Sequence, residues 1–160
     1  MSDGPNGVDA PPVPPHIVDA ARHVLAQDGL AAATLERISA AAGVSRMTLH
    51  RHGVTKRDIL RALAAEFEAE HRDAMWQALV ATGNARQRLE LALLRLCELT
   101  DRNLATLQAL SSAARDEIFH EPGPAALTRA VFVEPLERLL LDGAADGSLA
   151  VVDARETATV

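Results

Sequence analysis

Between residues 34 and 56 the sequence gathers side chains suited to phosphates and base edges. Thr34, Ser45 and Thr48 bring hydroxyls, Arg37, Arg46 and Arg51 bring guanidinium forks, His50 an imidazole and Lys56 an ammonium. Arginine reads the O6 and N7 of guanine as a bidentate donor, and a methionine or a threonine methyl meets the thymine methyl, so Met47 belongs with this group. From Arg37 to Arg61 there are six basic residues and one acid, Asp58, a net +5; the total is −6, so the rest of the chain carries −11. Such asymmetry suits a face that meets a polyanion. A solvated basic surface would give the same count, so spacing has to decide between them.

The elements around this stretch predict how those side chains are held. Pro14 and Pro15 suit the start of a first helix, where a missing N–H costs nothing. Ile17, Ala20, Ala21, Val24 and Leu25 repeat at helical spacing, and Gly29 supplies the stop. Thr34 is an N-cap for a second helix that buries Leu35, Ile38, Ala41 and Ala42. Gly43 can take the left-handed conformation of a turn, with Ser39 small where two helices approach. Ser45 then caps a short third helix, in which Leu49 is the one large apolar anchor. Thr55 and Asp58 resemble a capping box opening a long fourth helix, with Ile59, Leu63, Phe67, Ala74 or Met75, and Leu79 on one stripe until Gly83. Helix, glycine turn and short helix is the layout of a helix-turn-helix, whose third helix is sized for the major groove of double-stranded DNA.

Past Gly83 the pattern stays helical. Leu89, Leu93, Leu96 and Thr100 mark a fifth helix, and Leu104, Leu107, Leu110, Ala114 and Ile118 a sixth. The EPGP sequence at 121–124 breaks the chain, and a further helix to about Ala145 is interrupted by Pro135. Asp153 reads as the cap of a helix that has barely begun at Val160. No useful strand alternation occurs, so the class is all-α: residues 1–15 a disordered arm, 16–61 the DNA-binding unit, and 62–160 a helical regulatory domain, with the fourth helix bridging the two.

The segment from Ile17 to Leu60 resembles the DNA-binding domain of the tetracycline-repressor (TetR) family of transcriptional regulators. The resemblance rests on an ordered set: Ala20-Ala21, Gly29, Thr34, Ile38, Ala42-Gly43-Val44-Ser45, Thr48-Leu49, His52 and Lys56. VEPLERLLLDGAADGSL looks like the end of the family's regulatory core. The family usually has Tyr at the place of His50 and Phe at the place of Gly53. A histidine still donates to phosphate, with charge at lower pH, while Gly53 takes away an aromatic beneath the third helix.

The resemblance implies a sequence-specific regulator, by family default a repressor, that binds an inverted-repeat operator as a homodimer. It implies Arg46, Met47, Thr48 and His50 at base edges or the adjacent backbone, Thr34 and Lys56 at phosphates, and Arg37, Ser45 and Arg51 within the same interface. It also implies that a small-molecule effector enters the C-terminal helices and alters the spacing of the two reading helices. Met75, Trp76, Leu79, Leu96, Cys97, Leu107, Phe119 and Phe132 are the candidate lining, although each singly reads better as ordinary core. The family normally continues through two more helices that make much of its dimer contact, so this chain reads as C-terminally short. The alternative is a helical protein-interaction module, or a truncated regulator without operator binding.

Other functions find no motif. The one cysteine, Cys97, excludes an intrachain disulfide and a cysteine-based zinc site. His50 and His52 are two apart and face apart on a helix, and Asp116, Glu117, His120 and Glu121 read as a solvated helix end, so no metal and no cofactor is expected. There is no nucleophile elbow, phosphate-binding glycine loop or zinc-binding histidine pair, so no enzyme is expected and no catalytic residue is assigned. Neither a membrane-length apolar run nor a signal peptide is seen, which leaves a cytoplasmic location. Hydrophobic residues are 48% but aromatics only 2%, so the core must come from Leu, Ala, Val and Ile.

Overall fold

The structure is a computed structural model that describes residues 13–115 and 131–150. Seven helices and no strand occur among the described residues: α1 (Pro15–Ala32), α2 (Leu35–Ala41), α3 (Arg46–Arg51), α4 (Lys56–Val80), α5 (Ala85–Arg102), α6 (Leu104–Arg115) and α7 (Glu134–Asp146). Residues 1–12 of the arm, the 121–124 loop, Phe119, the acidic cluster from Asp116 to Glu121 and the cap at Asp153 lie outside the described residues, and Pro15, placed in the arm, begins α1.

The chain forms two compact units. The first comprises residues up to Ala65 together with the α6 region. In it α1 packs on α2 and α2 on α3. The predicted apolar face of α1, Ile17, Ala20, Ala21, Val24 and Leu25, is buried, as are Val18, Ile38, Leu49, Val54, Ile59, Leu60 and Leu63. Gly29 adopts φ 74°, which interrupts α1 where the sequence placed its end; three more helical residues follow the break. Thr55 and Asp58 form the expected box: Asp58 Oδ2 accepts from the Thr55 N–H at 2.9 Å and Thr55 Oγ1 from the Asp58 N–H at 3.2 Å.

The second unit holds residues 66–104 and the α7 region. Its core is Met75, Ala78, Ala92 and Leu139, with Leu79, Leu89, Leu91, Leu96 and Leu136 packed around them. The start of α5 is held twice. Asn84 and Gln87 make a reciprocal capping box, and Asp146 Oδ2 accepts from the Ala85 N–H at 2.9 Å. Hydrogen bonds from the Ser148 side chain, then from the Ala85 and Ser148 amides, hold the Asp146 carboxyl below the usual carboxylate range. Arg88 ties α5 to α7 by donating to Asp142 at 3.0 Å, and it also donates to the Leu79 carbonyl at 3.0 Å. Pro135 lies in the first turn of α7, so the break falls at Val133, between helical Phe132 and Glu134. Gly143 stays within α7, where the Leu149 side chain occupies the space a Cβ would need, and the helix stops at left-handed Gly147.

Candidate nucleic-acid interface

An isolated helix of six residues has no stability of its own, since nucleation outweighs so few hydrogen bonds. The stability of α3 therefore comes from its ends and from one side chain. At its start Ser45 Oγ accepts from the Thr48 N–H at 3.1 Å, and the Ser45 and Thr48 hydroxyls lie 2.8 Å apart in a hydrogen bond. At its end the Gly53 N–H reaches the His50 carbonyl at 3.0 Å and the Val54 N–H the Leu49 carbonyl at 3.1 Å, a complete Schellman closure. Gly53 makes this possible with φ 66°. Leu49, only 3% exposed, is the anchor, and buried Val54 follows the turn.

The preceding turn is built the same way. Gly43, at φ 69°, donates to Ala40 at 3.1 Å and Val44 to Ser39 at 3.0 Å, which closes α2. A Gly-Val pair thus ends both helices. The absent aromatic at Gly53 is accounted for in these terms: residue 53 supplies the left-handed turn, and residue 54 supplies the packing.

With Leu49 turned inward, α3 leaves Arg46, Met47, His50 and Arg51 exposed, Met47 at 70%. Arg57 and Arg61, one turn apart on α4, are exposed as well; the sequence counts them in the basic stretch but gives them no site role. The other predicted residues make contacts within the protein. Thr34 Oγ1 accepts from the Arg37 N–H at 3.2 Å and caps α2. The Arg37 guanidinium donates to Asp28 Oδ2 at 2.6 Å. Lys56 Nζ donates to the Leu30 carbonyl at 2.8 Å, and burial pushes its pKa below the ordinary lysine value. Neither partner was legible in the sequence: Asp28 and Leu30 lie 9 and 26 residues away.

In the second unit the predicted lining residues separate. Met75, Leu79 and Leu96 belong to its core. Trp76 is 64% exposed and Cys97 is an exposed free thiol. Phe132 packs against Phe67, with ring centroids 6.5 Å apart, and against His71, at 4.4 Å. Half-buried Leu107 belongs to the first unit. Sequence reasoning missed His71, which is 5% exposed. Its Nδ1 has no hydrogen-bond partner, and burial lowers its pKa. The available signal was Phe67 and His71 at i and i+4, on one face of α4. Among the described residues no group of three or more His, Cys, Asp or Glu side chains could hold a metal, and no helix is long and apolar enough to cross a membrane.

Residues 17–63 match the family model for bacterial regulatory proteins of the tetR family. No curated protein matches the sequence. Solved structures share the fold. PfmR, a TetR family transcriptional regulator from Thermus thermophilus, superposes with a TM-score of 0.73 at 18% identity, over 89% of this chain and 78% of that one. A TetR/AcrR-family transcriptional regulator from Thermobifida fusca gives 0.65 at 18% identity, over 89% and 76%. A Clostridium perfringens protein named as a fatty acid metabolism regulator gives 0.63 at 20% identity, over 90% and 78%. Residues 17–63 therefore belong to the tetR family of bacterial regulatory proteins, and the chain that carries them has the fold of TetR-family regulators.

Proposed function

We propose that this protein is a sequence-specific DNA-binding transcriptional regulator, acting as a cytoplasmic repressor on an inverted-repeat operator. One observation carries the reading: α3 is pinned at both ends and by Leu49, while Arg46, Met47, His50 and Arg51 face solvent. Guanidinium forks and a methionine on a rigid, groove-sized helix suit guanine edges and thymine methyls. Thr34, Ser45 and Thr48 support that helix and its neighbours, with contact to phosphate at the rim, while Arg37 and Lys56 fasten α1 to the helices that follow.

The second unit supplies the partner and the signal. Trp76, Val80, Leu93, Leu94 and Leu141 are large apolar side chains left exposed, a composition that favours self-association into the homodimer an inverted repeat requires. His71, buried between Phe67 and Phe132 with a free Nδ1, supports an effector that is mainly apolar with one hydrogen-bonding group. The same exposed apolar side chains favour a second reading, a protein-interaction module without operator binding.

Selection of bound duplexes from a random DNA library separates these readings. An enriched inverted repeat supports the dimeric regulator, and a single enriched half-site supports a DNA-reading monomer. No enrichment by folded protein would remove operator binding and leave the interaction module.

A further inference from the structure

Behind α3, on the side away from its exposed arginines, the first unit contains a cavity of about 220 Å³ lined by Pro14, His16, Ile17, Val44, Thr48, Leu49, His52 and Val54. Ile17, Leu49 and Val54 are buried aliphatic walls, while His16 and His52 are exposed and stand at its mouth. The lining has no Asp, Glu, Lys or Arg. Between His52 and Val54 the chain contributes no side chain at all, because residue 53 is glycine.

We propose that this cavity is a ligand site in its own right, a seat for a small neutral aromatic molecule of one or two fused rings. An apolar protein cavity of about 150 Å³ stays dry and takes up benzene, so this volume leaves room for a second ring. The buried walls of Ile17, Leu49 and Val54 offer dispersion contacts and no charged partner, which favours an apolar, uncharged occupant. The two imidazoles at the mouth can accept or donate one hydrogen bond to an N–H or O–H on the ring edge. Thr48, Leu49 and His52 come from α3 and its cap, and Pro14, His16 and Ile17 from the start of α1. An occupant therefore touches both helices and is linked to the position of the reading helix. The site itself does not rest on operator binding.

The test is a titration of the full chain with indole, followed by methyl and amide NMR without DNA. The expected result is saturable shifts of the Ile17, Val44, Leu49 and Val54 methyls, accompanied by the amides of Arg46–Arg51. Val44→Phe, placing a ring in the cavity, should abolish them. Val54→Ile, a smaller filling that preserves folding if Val44→Phe does not, should weaken binding several-fold. Absence of saturable shifts up to the solubility limit of indole would overturn the proposal, as would shifts confined to the second unit or equal affinity in the filled variants. None of these outcomes depends on whether an operator is found.

Discussion

Gly53 offers a direct test of how α3 is held. Its φ is 66°, and an added Cβ would meet nothing within 4 Å. Gly53→Ala therefore introduces no clash, and its effect is the backbone cost of a left-handed L-residue, about 1–2 kcal/mol. Alanine also narrows the unfolded ensemble, but that gain of about 0.4–1 kcal/mol applies in full only where the native conformation suits it. The expected net loss is about 1 kcal/mol, visible as a lower urea midpoint with an unchanged slope. Gly53→Asn should lose less, because a short polar side chain tolerates this region. Both closing hydrogen bonds, to His50 and Leu49, come from backbone N–H groups that every variant retains. DNA affinity should fall in the same order, since the last turn of α3 carries His50 and Arg51. Gly43→Ala, at φ 69° and also in open space, is the matched control. Unchanged stability in Gly53→Ala would refute the strain argument. A gain in Gly53→Phe would show that residue 53 is a packing position after all.

The cations separate by what they already touch. Arg46→Ala should reduce the slope of log affinity against log salt by about 1 and weaken preferred sites more than random ones. Lys56→Met should leave that slope unchanged and instead lower stability by about 1 kcal/mol, the size of a charged hydrogen bond discounted for partial exposure; the reverse pattern in anisotropy and urea titrations would put Lys56 on phosphate. His71 tests the second unit. Burial depresses its pKa below 6.5, so as pH falls through that value the unfolded chain takes up a proton before the folded one does. Stability should therefore decline from pH 7.5 to 5.5, and His71→Phe should flatten the decline; identical pH dependence in the two proteins would remove this account of His71.

The helical class and the reading segment were legible because their causes are local. Apolar residues recur at helical period through α1, and the Thr34, Ser45 and Thr55 caps each precede their helix by one residue in the sequence. Gly43 was legible as a turn for the same reason. Gly53 was not, because its role as a turn shows only in the hydrogen bonds that the Gly-Val pair at 53–54 repeats from 43–44. Arg37 and Lys56 read as free cations, since their partners, Asp28 and the Leu30 carbonyl, belong to another helix. His71 and the cavity behind α3 are products of three-dimensional packing. A stripe position on a long helix does not reveal that a side chain ends up beside two phenylalanines. Nor does any local pattern report space left unfilled between α1 and α3.

The charge asymmetry that first singled out residues 37–61 has a different meaning once these partners are known. Arg37 is satisfied by an acid on α1, and Lys56 by a carbonyl at the end of α1. Two of the six basic residues thus fasten α1 to the helices that follow it. Arg46, Arg51, Arg57 and Arg61 remain exposed and form no ion pair among the described residues. A cation already bonded within the protein gains little by moving to a phosphate, because it must give up one favourable contact for another. An exposed arginine surrenders only water and releases a counterion from the DNA. The segment accordingly divides its positive charge between holding the unit together and presenting a binding face. On the proposed DNA-binding function, the four exposed arginines, rather than the net +5 of the sequence, are expected to set how steeply affinity falls with salt.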